Sequence, residues 1–481
     1  MKKNLLFYPL VIGFFSLLIW LIVNTGSQLK PISQPAVSTS TAVQQQAPAG
    51  FAETVMQQFV HNVTSPLGLL LLQIITILLV SKIFGALIGK IKQPSVVGEM
   101  IAGIVLGPSL LGLLFPGFSA FLFPKTSLGN LQFLSQMGLA FFMFIVGMEL
   151  DIEKLKNKAH NAVLISHASI VFPYFLGVLV SYFLYEQFAP ANVSFLAFAL
   201  FMGIAVSITA FPVLARILQE RQLTKTSLGA IVISCAAFDD VSAWCILAAV
   251  IATVKAGSIA SALFTVLLAA IFVLAMLFLV APLIKNLTDR YTANGQLGKP
   301  LVVFVFLILL TSAFISESIG IHALFGAFLA GVIMPQKSRV KELLTEKIED
   351  VSVLLLLPLF FAFTGLRTQI GLLSEGNLWA ICGLIIFVAV LGKFGGSAIA
   401  ARFTGQSWRD SFSIGALMNT RGLMELVVLN IGYDLGILSP SLFAIMVIMA
   451  LATTFMTGPM LDVIEYAANR KSVNVKLEPQ Q

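Results

Sequence analysis

Two adjacent carboxylates, Asp239 and Asp240, stand inside an otherwise apolar run over about residues 228–252, whose other polar side chains are small hydroxyls, two thiols and an indole. A charge at mid-bilayer costs roughly 2.5 to 3.5 kcal/mol on insertion scales, so two together require a counter-charge, a proton or a bound cation. Neighbouring residues on a helix point about 100° apart, so the two face different partners. Lys393, in VLGKFGGSAIAA, lies deep in the later apolar segments, where glycines let another helix approach closely. The expected division is that Lys393 pairs with Asp239 while Asp240 binds a transported ion. A single structural charge network of all three is the alternative. A carboxylate in this setting can exchange a proton for a cation near neutral pH, which is antiport in its simplest form.

Further polar groups surround this pair. Residues 207–212 (SITAFP) and 419–422 (NTRG) interrupt two apolar stretches with proline or glycine, which remove a backbone donor or relax a helix. Unwound backbone at membrane depth is tolerated where it is buried or lines a cavity, and paired broken helices point to a midplane ion site. Ser207 and Thr209 offer hydroxyls, and the backbone near Ala210 offers carbonyls. Such oxygen ligands suit hard monovalent cations. Arg421 and Glu425, at i and i+4, are expected to compensate each other beside the second break rather than to hold the ion. Glu99, Glu317 and His322 read as interfacial or helix-packing groups, and His167 as a hydrogen-bonded core histidine. Cys235, Cys245 and Cys382 all lie in apolar runs and the four histidines are scattered, so no disulfide framework, metal centre or cofactor is expected.

Positioning these groups takes a bundle of membrane helices. With 58% hydrophobic and 11% charged residues over 481 and a mean hydropathy of +0.96, the chain reads as a polytopic membrane protein. The formal net charge of +7 comes from short clusters between apolar runs, not from a basic stripe, so it speaks for topology and against a nucleic-acid partner. Residues 1–25 hold a basic start and an apolar run over 5–23, which favours an uncleaved membrane anchor over a signal sequence. Residues 26–62 read as an extracytoplasmic linker, with a short helix over 51–62.

The transmembrane domain, 63–466, holds thirteen expected segments at about 66–89, 94–115, 129–150, 161–185, 193–218, 227–252, 259–284, 299–317, 320–335, 350–368, 377–402, 411–433 and 439–466. If the first of them starts outside, the Lys- and Arg-bearing stretches at 90–92, 154–158, 216–225, 285–299, 337–347, 402–409 and 470–476 share one side. The positive-inside rule makes that side cytoplasmic, together with a short tail, 467–481. Segments one to six and eight to thirteen are expected to form inverted six-helix repeats, because the breaks fall in the fifth and the twelfth. The expected fold is therefore all-α, a thirteen-helix core with two broken crossing helices behind an N-terminal hydrophobic helix.

The motifs SITAFPVLARIL, an acidic pair followed by VSAW, GPSLLG, FIVGMELD, GIHALFGAF, NTRGLMELVVLNIG and AIMVIMALATTFMTGP occur in order between about 66 and 462. Together they resemble the cation:proton antiporter-2 superfamily, which includes the plant cation/proton exchangers and bacterial sodium/proton antiporters. The resemblance implies a homodimer with a dimerisation domain and a six-helix core moving in an elevator-like way. It matches Asp240 to the ion-binding aspartate and Lys393 to the core lysine. Many plant-type relatives have Asn before that aspartate, whereas Asp239 resembles the electrogenic sodium/proton antiporters, in which opening the Asp–Lys pair is proposed to release a second proton. The chain stops soon after its last segment, so no nucleotide-binding regulatory domain is expected.

Other classes fit less well. An intramembrane aspartyl protease needs carboxylates facing each other from two helices, which neighbours on one helix cannot do. A sodium-coupled symporter on a related inverted-repeat scaffold remains the alternative, expected to keep a larger pocket with organic-ligand contacts, while a channel needs a selectivity filter. The transported ions implied are H+ and Na+ or K+.

Overall fold

The computed structural model of the protein describes residues 51–91, 93, 95–149, 159–191, 193–223, 226–255, 259–293, 299–335, 339–374 and 376–475, and every regular element among them is helical. The expected helix over 5–23, the loop at 154–158 and the last residues of the tail lie outside the described residues. The chain divides into two compact units, 1–61 and 62–481. In the first, the described residues belong to helix α1 (Phe51–Thr64), where Val55, Met56, Phe59 and Val60 are exposed.

In the second unit the apolar segments form α2 (Pro66–Lys90), α3 (Ser95–Leu106), α4 (Leu128–Glu149) and α5 (Ala159–Phe188). The fifth segment is split into α6 (Phe195–Ser207) and α7 (Phe211–Glu220), and α8 (Ser227–Lys255) carries the aspartates. There follow α9 (Ile259–Ala275), α10 (Lys299–Ile319), α11 (Ala323–Val332), α12 (Leu357–Arg367), α13 (Leu378–Val390) and α14 (Gly396–Phe403). The twelfth segment is split into α15 (Trp408–Met418) and α16 (Leu423–Asp434), and α17 (Pro440–Val475) ends the described chain. Ten described helices are long and apolar enough to cross a membrane, or eleven if α15 and α16, bent by 41°, make one span. Of the thirteen expected crossings, two are therefore shorter pieces: the α6–α7 pair and α11, which has 10 residues where a straight crossing needs about 20. Helix α17 runs on to Val475, so the expected tail begins as helix. Glu317 and His322 cap α11, accepting from the amides of Ala323 and Leu324 respectively, in keeping with a helix-packing role.

The helix pairings recur seven segments along the chain. Helix α2 packs on α3 as α10 packs on α11; α4 on α11 as α12 on α3; α5 on α6 as α14 on α15; and α5 on α8 as α13 on α17. Between helices that are as apolar as lipid, association depends on close backbone approach, which small residues permit. A Cβ added at Gly103 of α3 would lie 2.6 Å from the Phe361 carbonyl oxygen and 2.7 Å from the Ala362 Cα of α12. The corresponding α4–α11 contact is closed in the same way by Gly147 against Gly331. The added methyls meet backbone, which cannot turn aside. Gly103→Val is therefore expected to destabilise the bundle by about 1 to 3 kcal/mol or more through overpacking. A lower melting temperature in detergent checks this, and an unchanged one would mean that α3 and α12 tolerate separation.

Candidate functional site

Both sequence-level breaks are present, and they meet. Helix α6 ends at Ser207 and α7 begins at Phe211, while α15 ends at Met418 and α16 begins at Leu423. The Ala210 amide donates to the Thr420 carbonyl at 3.0 Å, joining one break to the other. Pro212 suits the first turn of α7, where its missing N–H would be unpaired in any case. Gly422 restarts the second helix with φ 157° and ψ −123°, a conformation open to glycine.

Helix α8 presses Asp239 and Asp240 into this crossing, 1% and 0% exposed. Asp239 Oδ1 accepts from the Ser166 hydroxyl at 2.6 Å. Its Oδ2 accepts from Ser169 at 2.7 Å, from Thr209 at 2.8 Å and from the Lys393 ammonium at 2.8 Å. Lys393 is fully buried and also donates to the Ser207 carbonyl at 2.5 Å and the Ser169 carbonyl at 3.0 Å. An ammonium has three donors, and here each has an acceptor. The lysine stands in a π-helical turn, Leu391–Gly395, a distortion found often at functional sites.

Asp240 is different. Among the described residues neither of its oxygens has a hydrogen-bond partner. The Phe211 amide, at the positive N-terminal end of α7, lies in its surroundings. The side chains of Asp239 and Lys393 share its electrostatic surroundings. A buried carboxylate without donors is expensive as an anion, and needs a proton or a cation to offset its charge.

The remaining charges close the helix ends. Arg421, in the second break, donates to the Ala205 carbonyl at 3.2 Å and to Glu425 Oε2 at 3.3 Å, and also to the Val206 carbonyl. Both residues of this pair are fully buried. Arg421 and Lys393 between them thus hold the carbonyls of Ala205, Val206 and Ser207, the orphan acceptors at the negative end of α6.

The structure brings Asp239, Thr209, Lys393 and the Ser207 carbonyl into one cluster, with Arg421 and Glu425 beside it. Two ligand assignments take a different form from the sequence reading. The Ser207 hydroxyl turns back onto the Gly203 carbonyl at 2.6 Å, so its backbone oxygen, not its side chain, joins the site. The Ala210 carbonyl accepts from Leu214 at 3.0 Å in the first turn of α7, leaving Ile208 and Thr209 as the break's other carbonyls. His167 is no core histidine: it is exposed, and its Nδ1 lies 2.7 Å from the Val163 carbonyl of its own helix. Sequence reasoning missed Ser166, Ser169 and Asn419. The two serines sit at i and i+3 on α5 with Pro173 following, a spacing that marks one polar face. Asn419 is buried with neither amide atom bonded among the described residues, and its place in the NTRG break was the available signal.

Comparisons with known proteins agree in direction. A family model described as sodium/hydrogen exchanger, transmembrane, matches residues 74–464. The chain is 43% identical over 399 residues to a Synechocystis protein named Na(+)/H(+) antiporter NhaS4, covering 83% of this chain and 97% of that one. It is 42% identical over 396 residues to Cation/H(+) antiporter 17 of Arabidopsis thaliana and 32% identical over 427 residues to K(+)/H(+) antiporter 1 of Saccharomyces cerevisiae. Those alignments cover 82% and 87% of this chain but 48% and 49% of the relatives, so it spans about half their length. The solved structure of the sodium proton antiporter MjNhaP1 from Methanocaldococcus jannaschii matches with a TM-score of 0.60 at 15% identity, over 82% of this chain and 95% of that one, a likeness of fold.

Removing one member of the buried pair tests the geometry directly. Lys393→Ala leaves Asp239 with hydroxyl donors but no counter-charge, and leaves two carbonyls without their donor. Breaking a buried pair in this way costs about 3 to 5 kcal/mol. The expected result is a clearly lower melting temperature in detergent; an unchanged one would mean that the pair carries no structural load.

Proposed function

The chain belongs to the sodium/hydrogen exchanger transmembrane family, and from that premise we propose that it exchanges a monovalent cation, Na+ or K+, for protons by competition for the Asp240 carboxylate. Such a protein is a transporter and not an enzyme: it moves ions and makes no covalent bond. The observation that carries the reading is the contrast between two neighbouring carboxylates, one fully bonded and the other, Asp240, fully buried with neither oxygen hydrogen-bonded among the described residues.

In this reading Asp240 takes either a proton or a dehydrated cation. The Phe211 end of α7 and the remaining oxygens of the crossing, including Thr209, Ser207 and Asn419, complete its surroundings. Asp239 and Lys393 hold the crossing together in the resting state, and opening that pair frees a second titratable group. Arg421 and Glu425 brace the second break. Access alternates between the two faces as the crossing helices shift, in an elevator-like movement within a homodimer. The protein sits in a bacterial inner membrane with its Lys- and Arg-rich loops and C-terminus in the cytoplasm, where exchange serves pH and cation homeostasis.

Proton flux in proteoliposomes holding a pH gradient is the deciding measurement. Adding Na+, K+, Li+ or Rb+ in turn is expected to dissipate the gradient and to rank the ions, and Asp240→Asn is expected to reduce the response to the leak of empty liposomes while the protein stays folded. Full exchange in Asp240→Asn would overturn the site. Asp239→Asn is expected to fold and to exchange with an altered pH dependence and less net charge moved, as read by a voltage-sensitive dye. If the wild type moves no charge, the second proton is not released.

A further inference from the structure

One backbone acceptor of the Lys393 ammonium lies in the middle of a helix, where none should be free. The Ser169 carbonyl belongs to α5, and in a continuous α-helix the carbonyl at 169 is taken by the amide of residue 173. Residue 173 is proline, inside the helix, and it has no N–H to give. The carbonyl so released is turned to the core, and Lys393 donates to it at 3.0 Å. Meanwhile Ser169 itself is fully buried, and its hydroxyl holds Asp239 Oδ2 at 2.7 Å.

The same proline meets the lysine's own turn. A Cβ added at Gly392, next to Lys393 in the π turn Leu391–Gly395, would lie 2.8 Å from the Pro173 Cα and 2.9 Å from its Cβ. The two helices thus touch at Pro173 and Gly392, one residue from the ammonium's stem. A proline in a membrane helix is tolerated where some other group satisfies the carbonyl it frees, and here that group is the charged lysine of the site.

We propose that Pro173 is a positioning residue for Lys393: by withholding its backbone N–H it reserves the Ser169 carbonyl as an ammonium ligand, and so sets how readily the Lys393–Asp239 pair opens. This rests on the reading in which that pair opens during exchange. The charged and titratable groups facing Lys393 are Asp239 and Asp240 from α8, Cys235 one turn earlier on α8, Arg421 from the second break and Glu425 from α16. None of them changes in the variants below, so a difference between variants reports the missing or restored N–H.

Two replacements at one position separate the N–H from the ring. Pro173→Ala restores an amide proton, which competes with Lys393 for the Ser169 carbonyl. Replacing Pro173 by lactic acid, introduced by nonsense suppression in cell-free synthesis with lipid nanodiscs, gives the same methyl side chain on a backbone ester with no proton to donate. Exchange is then read as a function of pH in proteoliposomes for both, beside the wild type and Lys393→Met. The expected result is that Pro173→Ala moves the pH dependence toward acid by about one unit, the scale of one hydrogen bond to a charged group, because the ammonium form is the one that loses an acceptor. The ester variant is expected to follow the wild type.

An ester variant that moves with Pro173→Ala would overturn the inference, since the ring and its packing on Gly392 would then be what matters. So would a Pro173→Ala profile that does not move beside a Lys393→Met profile that does. A Lys393→Met profile identical to the wild type would sink the opening of the pair itself, and the inference with it. Should Pro173→Ala fail to fold, folding of the ester alone supports the inference, and failure of both defeats it.

Discussion

An ammonium buried at membrane depth has three protons to place, and Lys393 places them on the Ser169 carbonyl, the Ser207 carbonyl and Asp239. Much of the surrounding architecture follows from meeting that demand. The acceptors come from three segments, α5, α6 and α8, which must converge on one point. Two of them are backbone carbonyls that regular helices would have consumed, so one helix carries a proline and another stops. The donor is carried on a π turn, and a glycine beside it lets α5 come close. Each of these local departures from ideal helix carries a cost. Together they satisfy a charge that would otherwise be among the most expensive objects in the bilayer.

Breaking two helices where they cross creates four helix ends, and each kind of charge is found at the end that suits it. The C-terminal end of α6, rich in orphan carbonyls, receives Lys393 and Arg421. The N-terminal end of α7 faces Asp240, and the first turn of α16 contains Glu425. The C-terminal end of α15 is closed by a neutral donor, the Thr209 hydroxyl on the Met418 carbonyl at 3.3 Å. Helix dipoles alone contribute on the order of 1 kcal/mol each, but here they act in a buried site and in the same direction. The breaks are thus electrostatic devices as well as interruptions, and the Ala210–Thr420 hydrogen bond keeps them in register.

What the sequence made legible was the cost, and what it concealed was the direction of side chains. Asp239, Asp240 and Lys393 were visible because nothing else in their apolar runs could neutralise them, and both breaks were visible because proline and glycine announce them. Nearly all the long apolar runs became helices, since length and composition decide that. The span of 10 residues in α11 was read too long because an apolar run continues past the turn at Gly320 and His322, where positive φ values reset the chain. The Ser207 hydroxyl was assigned by chemistry alone, yet a serine near a helix end can bond back to the preceding turn, as this one does. Ser166 and Ser169 escaped notice because small hydroxyls are common in membrane helices, and only the fold shows that both point at one carboxylate.

The buried charges can be counted. Among the described residues the fully buried ionisable side chains at the crossing are Asp239, Asp240 and Glu425 against Lys393 and Arg421, three acids and two bases. With all of them ionised, the site is short of one positive charge, and the group left without a partner is Asp240. One proton restores neutrality, and so does one monovalent cation; a divalent cation would overshoot by as much as an empty site falls short. Burial makes net charge costly, so on the proposed reading the neutral states are the ones in which the crossing helices shift. On the proposed reading, then, coupling needs no separate gate to forbid an empty passage: the missing charge forbids it, and the Asp239–Lys393 pair decides whether a second proton travels with the first.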